Sequence, residues 1–316
     1  PGQPAEPVRV SFGRGKEKQS LEADVVIGAF GCDNRLGRKL AQAGVGYRPP
    51  QTVRACQAEL SVGREHVSRV LGGSTQVFNL GLPDISFAAF VPKGDFVTCT
   101  IVGQRDLGLD DLLELLDDRR VRARLPRGWQ VPRHFCHCHP SVVTSHARHP
   151  YTDRVVMVGD AASCRYYKNG IETAFDTAAL AAFTATHIGV SAQAFGRYYA
   201  RACDRLIERD NRFGRLLFAA NRLIASHPNA ARAFLVLCRA SGAGAVGQRM
   251  QEVLWGLFAG DRPYREILRR ALHPRVVWYG AWQLAFETLF RRHSAAARVR
   301  KASGRGRSPQ DRSSSS

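Results

Sequence analysis

The sequence predicts a mixed α/β (α+β) fold, with a partial three-layer domain split around an antiparallel sheet and followed by a C-terminal helical region. Three observations carry this reading. The run Val155-Val156-Met157-Val158 has the character of a short strand covered on both faces, ended by Gly159 and followed by an alanine-rich helical stretch. From about residue 51 to 105 the text changes to short strands with Gly and Pro turns between them. Beyond Ser191 the periodicity is helical almost to the end of the chain.

Taken in order, residues 7–12 and 23–30 read as strands that close the front of the first domain, the second being a buried Val-Val-Ile run in an otherwise polar, basic N-terminal stretch. Strands follow at 54–62, 75–80, 85–91 and 96–102, separated by Gly72-Gly73, Leu82-Pro83 and Pro92-Lys93-Gly94. Residues 109–118 predict a short helix, because Asp110 and Asp111 in its first turn and Arg119 and Arg120 at its end suit the helix dipole. A strand at 133–139 leads through Pro140 back to the first domain. After the helix at 171–185, Ser191 is placed to cap a long helix running toward 225, with Asp204, Glu208 and Asp210 interleaved with Arg205, Arg209 and Arg212 on its wet side. Further helices are expected at 231–239, 248–258, 263–272 and 276–290. The last carries Val277, Trp278, Trp282 and Leu289; the plain expectation is a cap packed on the core, the alternative a face that rests on a membrane or binds a long apolar substrate. Ser, Arg and Gly then dominate a basic tail expected to be disordered. The division is 1–50 with 140–190, 51–139, 191–294 and 295–316.

Asp160 lies at the carboxyl end of the 155–158 strand, the usual ligand position in open α/β sheets. After a polar loop, Asn169 and Gly170 precede the helix, whose first turn offers unpaired N–H groups and partial positive charge to an electron-rich ligand. By spacing alone, Asp160 serves equally well as a turn cap.

The segment resembles the Gly-Asp motif of FAD-dependent oxidoreductases of the p-hydroxybenzoate hydroxylase and geranylgeranyl reductase superfamily. The resemblance implies that Asp160, flanked by Gly159 and Ala161, binds the ribityl chain of FAD, with Gly170 and Ile171 supplying backbone near the isoalloxazine. Upstream, Asp24-Val-Val-Ile-Gly-Ala-Phe-Gly-Cys-Asp-Asn-Arg35 is similar to the superfamily's Asp-x-x-x-Gly-Ala-Asp-Gly-x-x-Ser motif and adds Gly28 and Gly31 to the site. It departs from that pattern at Phe30 and Asn34. A third stretch, Phe87 to Val97, resembles a sheet edge that carries an aromatic residue and a Pro-x-Gly turn beside the substrate. No Gly-x-Gly-x-x-Gly follows a strand and opens a helix. The expectation is therefore the back half of an FAD site, completed by a missing N-terminal segment or a second chain.

The formal net charge of +19 is carried almost wholly by arginine, which favours phosphate and carboxylate partners. Nucleic acid is disfavoured, because no nucleic-acid-binding motif accompanies the charge; an anionic membrane surface accounts for it as well. Eight scattered cysteines are too sparse for a disulfide framework. In Phe135-Cys-His-Cys-His-Pro140, strand alternation puts Cys136 and Cys138 on one face and His137 and His139 on the other, so no metal site is expected. The two thiols have a redox or substrate-contact role only if they line the flavin side. With no apolar run of about 18 residues, the default is a cytoplasmic protein, peripheral to a membrane if it meets one.

Among loop residues Arg165, Tyr166, Tyr167 and Lys168, Lys168 is the preferred cation for tuning the flavin. No acid, base or nucleophile stands out as catalytic. The resemblance implies an FAD-dependent oxidoreductase of the reductase-like branch, passing hydride between flavin and an apolar, isoprenoid-type substrate, and it admits NAD(P)H as electron donor. The alternatives are an aromatic monooxygenase and a non-catalytic basic binding protein that retains a remnant of the fold.

Overall fold

The computed structural model describes residues 6–14, 17–32, 34–82, 84–168, 170–239 and 244–303, apart from the side chains of 14, 17, 34 and 290–303. Pro83, Asn169 and residues 304–316, which entered the turn, helix-start and tail expectations, lie outside the described residues.

The chain opens with a hairpin of β1 (Val8–Arg14) and β2 (Glu17–Ala23), tied across by Arg9 and Glu22 at 2.9 Å. The sequence hides β2 because Glu-Lys-Gln-Ser-Leu-Glu-Ala shows no apolar alternation; its residues whose burial is described are almost all exposed. This hairpin forms its own two-stranded sheet, so the parallel layer begins only at β3 (Val26–Gly28), which α1 (Asn34–Gln42) follows. Next come β4 (Thr52–Arg54), β5 (Cys56–Ser61), the short α2 (Arg64–His66) continued by a wide turn at Val67–Leu71, then β6 (Gln76–Phe78), β7 (Ile85–Lys93) and β8 (Phe96–Gly103). α3 (Leu109–Asp117) and α4 (Arg119–Arg122) follow, the first started by Asp111 accepting from the Gly108 N–H at 2.7 Å. β9 (His137–Cys138), β10 (Ser141–Val143), β11 (Tyr151–Thr152) and β12 (Val155–Met157) complete the strands.

The five-stranded antiparallel sheet has the order β6-β7-β8-β5-β9. One of its faces, with Leu60, Phe90, Val97 and Ile101, packs on Leu112, Leu115 and Leu116 of α3. Phe87 and Val102 belong instead to a second core built with the C-terminal helices. β7 is thus an inner strand, not the sheet edge that the Phe87–Val97 resemblance suggests. Of the expected 133–139 strand, His137 and Cys138 pair in register with Ala58 and Gln57 of β5, and the Cys136 carbonyl accepts from the Glu59 N–H at 3.0 Å. Cys136 and Cys138 are exposed there.

β12 pairs parallel with β3 and antiparallel with β11, leaving β3 as an edge among the described residues. Val156 and Val158 enter one core with Phe195 and Tyr199, while Met157 enters another with Tyr47 and Ala161. The strand is therefore covered on both faces, as its apolar run predicts, and each such side chain removed from water contributes about 1.5–3 kcal/mol.

α5 (Gly170–Phe183) ends in a wide turn at Thr184–Ile188. The Ser191 hydroxyl then accepts from the Ala194 N–H at 3.1 Å and starts a helical path through α6 (Ala192–Ala194), α7 (Arg201–Cys203) and α8 (Arg209–Ser226), joined by wide turns. α9 (Pro228–Arg239), α10 (Ala245–Ala259), α11 (Tyr264–Ala271) and α12 (Pro274–Ser303) complete the fold. The helix backbone of α12 passes beyond residue 295, where the basic tail is expected to begin. Asp210 departs from its expected place on the wet side of α8: it is buried, for a reason that lies at the site.

Candidate functional site

The two sequence motifs come together at the carboxyl ends of the parallel pair β3 and β12. Met157 is in register with Gly28, and the Val158 N–H donates to the Gly28 carbonyl at 3.0 Å. The approach is close: a Cβ on Gly28 would stand 2.4 Å from the Met157 sulfur, so any larger residue there would displace the Met157 side chain. Gly31, at φ +59°, turns the chain so that the Cys32 thiol donates to Oδ2 of Asp160 at 3.7 Å. Burial, reinforced by the Asp160 charge, pushes that thiol up to about 12, so it stays a donor. Cys164 is a second thiol beside Asp160, pushed up by burial and then by the same carboxylate.

Gly159 carries the turn that aims Asp160. Its φ is +61°, and a Cβ there would come within 3.2 Å of Ala174 on α5. Its N–H donates to the Thr177 hydroxyl at 2.8 Å, so α5 is fastened directly to the strand end. The Tyr47 hydroxyl donates to the Ala161 carbonyl at 2.8 Å from the opposite layer. At the start of α5, a Cβ on Gly170 would sit 3.8 Å from Asp160 Oδ1. Ile171 and Phe175 are 91 % and 73 % exposed, so the start of α5 is open.

Asp160, Cys164, Lys168 and Gly170 line a cavity of about 170 Å³ with Val142 and Tyr167. Of the residues expected at the site, the structure gathers Asp160, Gly170 and Lys168 here; Gly28, Gly31, Gly159 and Ala161 form the turns that frame it, and Ile171 faces outward. Neither Cys136 nor Cys138 lines it, so the condition for their redox role is not met. A larger cavity, about 810 Å³ and mostly apolar, lies by Leu223, Pro228 and Leu284 and shares no residue with it.

The loop 164–168 is built from outside. Asn211 on α8 accepts from the Tyr166 N–H at 2.8 Å and donates to the Cys164 carbonyl at 3.0 Å. Asp210 accepts from the N–H groups of Tyr264 and Arg265 at 2.6 and 2.9 Å, capping α11, and lies 3.7 Å from Arg165. The Tyr264 hydroxyl in turn donates to the Tyr166 carbonyl. Arg165 also donates to the Gly260 carbonyl at 2.8 Å, so its charge serves this clamp. Tyr167 sits at φ +61°, a conformation that costs a non-glycine residue about 1–3 kcal/mol. Its hydroxyl donates to the Gly103 carbonyl at 2.9 Å and its ring packs against Phe218, which holds it there. Lys168 is thereby placed with its ammonium 4.8 Å from the Phe87 ring centre and 5.7 Å from that of Phe258. Burial lowers its pKa from 10.5 to about 8.

The donor set fits a polyhydroxylated chain carrying a polar ring. An acidic acceptor stands at a strand end, glycines leave room for close backbone approach, and a helix start and a cation flank it. Cys32, Cys164, Thr177 and Tyr167 complete this arrangement without having been singled out from the sequence. Cys32 had a local signal, being inside the Gly-rich turn motif; Thr177 had none.

No protein-family model and no curated protein matches the chain. Solved structures do. A geranylgeranyl bacteriochlorophyll reductase-like protein from Thermoplasma acidophilum superposes with a TM-score of 0.54 at 14% identity, covering 81% of this chain and 63% of its own. The p-nitrophenol 4-monooxygenase of Pseudomonas putida DLL-E4 gives 0.50 at 17% identity, covering 83% and 67%. A structure of RebC with bound 7-carboxy-K252c gives 0.50 at 15%, covering 83% and 50%. The chain thus spans half to two thirds of these proteins, and at such identities the likeness is one of fold. What the chain shares with these proteins is their mixed α/β fold.

Proposed function

We propose that this chain contributes the ribityl and isoalloxazine side of an FAD site in a reductase-like oxidoreductase. The observation that carries this is the convergence of the Gly31-Cys32 turn and the start of α5 on Asp160, which lines a cavity at the carboxyl ends of two parallel strands. When bound, FAD would supply hydride transfer to or from an apolar, isoprenoid-type substrate, with NAD(P)H as the electron donor. Asp160 would accept from ribityl hydroxyls, while Gly170 and Ile171 would present backbone N–H groups to the ring. Lys168 would bring a positive charge close to the ring, and its pKa near 8 makes that charge sensitive to mild alkali. The edge of β3 and the exposed Ile171 and Phe175 suit a further strand and helix, from this protein or a second chain, that would hold the pyrophosphate and adenosine.

Riboflavin tests this reading because it lacks the pyrophosphate and adenosine that the further strand and helix would hold. Flavin fluorescence should be quenched on titration with this chain, and Asp160→Ala should weaken binding by about tenfold or more, the loss of hydrogen bonds to a charged acceptor. FAD should gain affinity over riboflavin only in a form extended upstream or supplied with the complementing chain. If neither form binds any flavin, the oxidoreductase reading fails, and salt-sensitive binding to DNA would then identify a basic binding protein.

A further inference from the structure

α12 is amphipathic the wrong way round. Its inner face, toward α9, passes from Val276 to Gln283 and Glu287; Gln283 is only 8 % exposed and Glu287 lies 3.9 Å from Arg232. Its outer face carries Trp278, Trp282 and Leu289, which are 76 %, 54 % and 56 % exposed. These three recur at intervals of four and seven residues and so share one stripe. Phe286 stacks on Trp282 with ring centres 5.7 Å apart, so part of the apolar surface is already organised. A helix paired with water on this side would carry the opposite pattern.

Charge identifies the occupant. Arg275 is exposed at the start of α12, and the sequence between Glu287 and Asp311 contains no acid while supplying Arg291, Arg292, Arg298, Arg300 and Lys301. Tryptophan beside arginine is the combination that suits the boundary between acyl chains and anionic headgroups. No described helix is long and apolar enough to cross a bilayer, so α12 would lie on the surface. We propose that the outer face of α12 is a docking surface for an anionic phospholipid bilayer, with Trp278 and Trp282 at headgroup depth. This surface is independent of the flavin reading, because it shares no residue with the cavity at Asp160.

The experiment is co-sedimentation of the full chain with vesicles of phosphatidylcholine alone or mixed with phosphatidylserine, beside the variant Trp278→Ala/Trp282→Ala. Both side chains are largely exposed, and an unchanged circular dichroism spectrum confirms that the variant folds. The chain should bind the mixed vesicles and not the neutral ones, with affinity falling about tenfold or more in the variant. Nitroxide-labelled lipids should quench the emission of the wild type and spare the variant, which keeps Trp129 and Trp255. Failure of the wild type to bind the mixed vesicles overturns the proposal. So does equal binding by both proteins, which would leave charge alone at work. A dimer seen by sedimentation velocity, lost in the variant and without any vesicle binding, would assign the face to a second copy and overturn it too.

Discussion

Burial beneath Phe87 and Phe258 gives Lys168 a pH dependence that can be read from stability. Between about pH 8 and 10.5 the unfolded chain binds a proton at this lysine that the folded chain does not, so folding gains stability as pH rises through that window. Below it, both states are charged and the full cost of burying the ammonium is present, on the order of 3 kcal/mol. Lys168→Met should therefore be more stable than the wild type at pH 7, with the gap closing toward pH 10.5 in urea unfolding series. Taking the difference between the two proteins cancels the raised thiols and phenols that titrate in the same range. At this scale, sequence was most informative where chemistry is local. Gly159, Asp160 and Gly170 were legible because a strand end, an acid and a helix start lie within a dozen residues. The thiol of Cys32 was not, because its approach to Asp160, 128 residues away in sequence, depends on the pairing of β3 with β12.

Among elements, the clamp on the loop 164–168 shows how one carboxylate joins three segments. Asp210→Ala would leave the first N–H groups of α11 without their acceptor and the buried Arg165 guanidinium without its nearby counter-charge, at a cost of about 3–5 kcal/mol. Urea unfolding should record that loss, and limited proteolysis should find faster cleavage within 164–168. The strands and helices themselves follow the sequence periodicity closely, because a five-stranded antiparallel sheet and packed helices leave alternation and heptad-like spacing visible. Asp210 was misplaced because charge spacing on α8 describes only that helix and contains nothing about the arrival of α11. α12 packs on the helical core as its plain expectation has it, but through Val276 and Gln283, and its tryptophans are left on the exposed face that the alternative reading describes. β2 escaped because a hairpin wet on both faces needs no apolar period.

For the whole molecule, a chain spanning half to two thirds of its structural relatives carries +19 of net charge, and among its described residues the β3 edge of the parallel pair has no neighbouring strand. The antiparallel sheet was legible as one block of alternating text, whereas the parallel layer joins β3 and β12 from either side of that block. How the C-terminal helices contact both was not, since Phe87, Tyr166 and Phe218 meet only in the folded chain. The uncovered edge of β3 has one more consequence. Its outer edge, which pairs with no described strand, is a template for another molecule's strand, and mutual repulsion between highly cationic copies would oppose that pairing in dilute buffer. Added salt shortens the range of this repulsion to a few ångströms, near 3 Å at about 1 M. Light scattering should accordingly rise with ionic strength in the wild type and stay low in Ile27→Lys, which places a charge on the edge strand. The solubility of this chain is thus set by a contest between one short strand and the arginine content of the whole sequence.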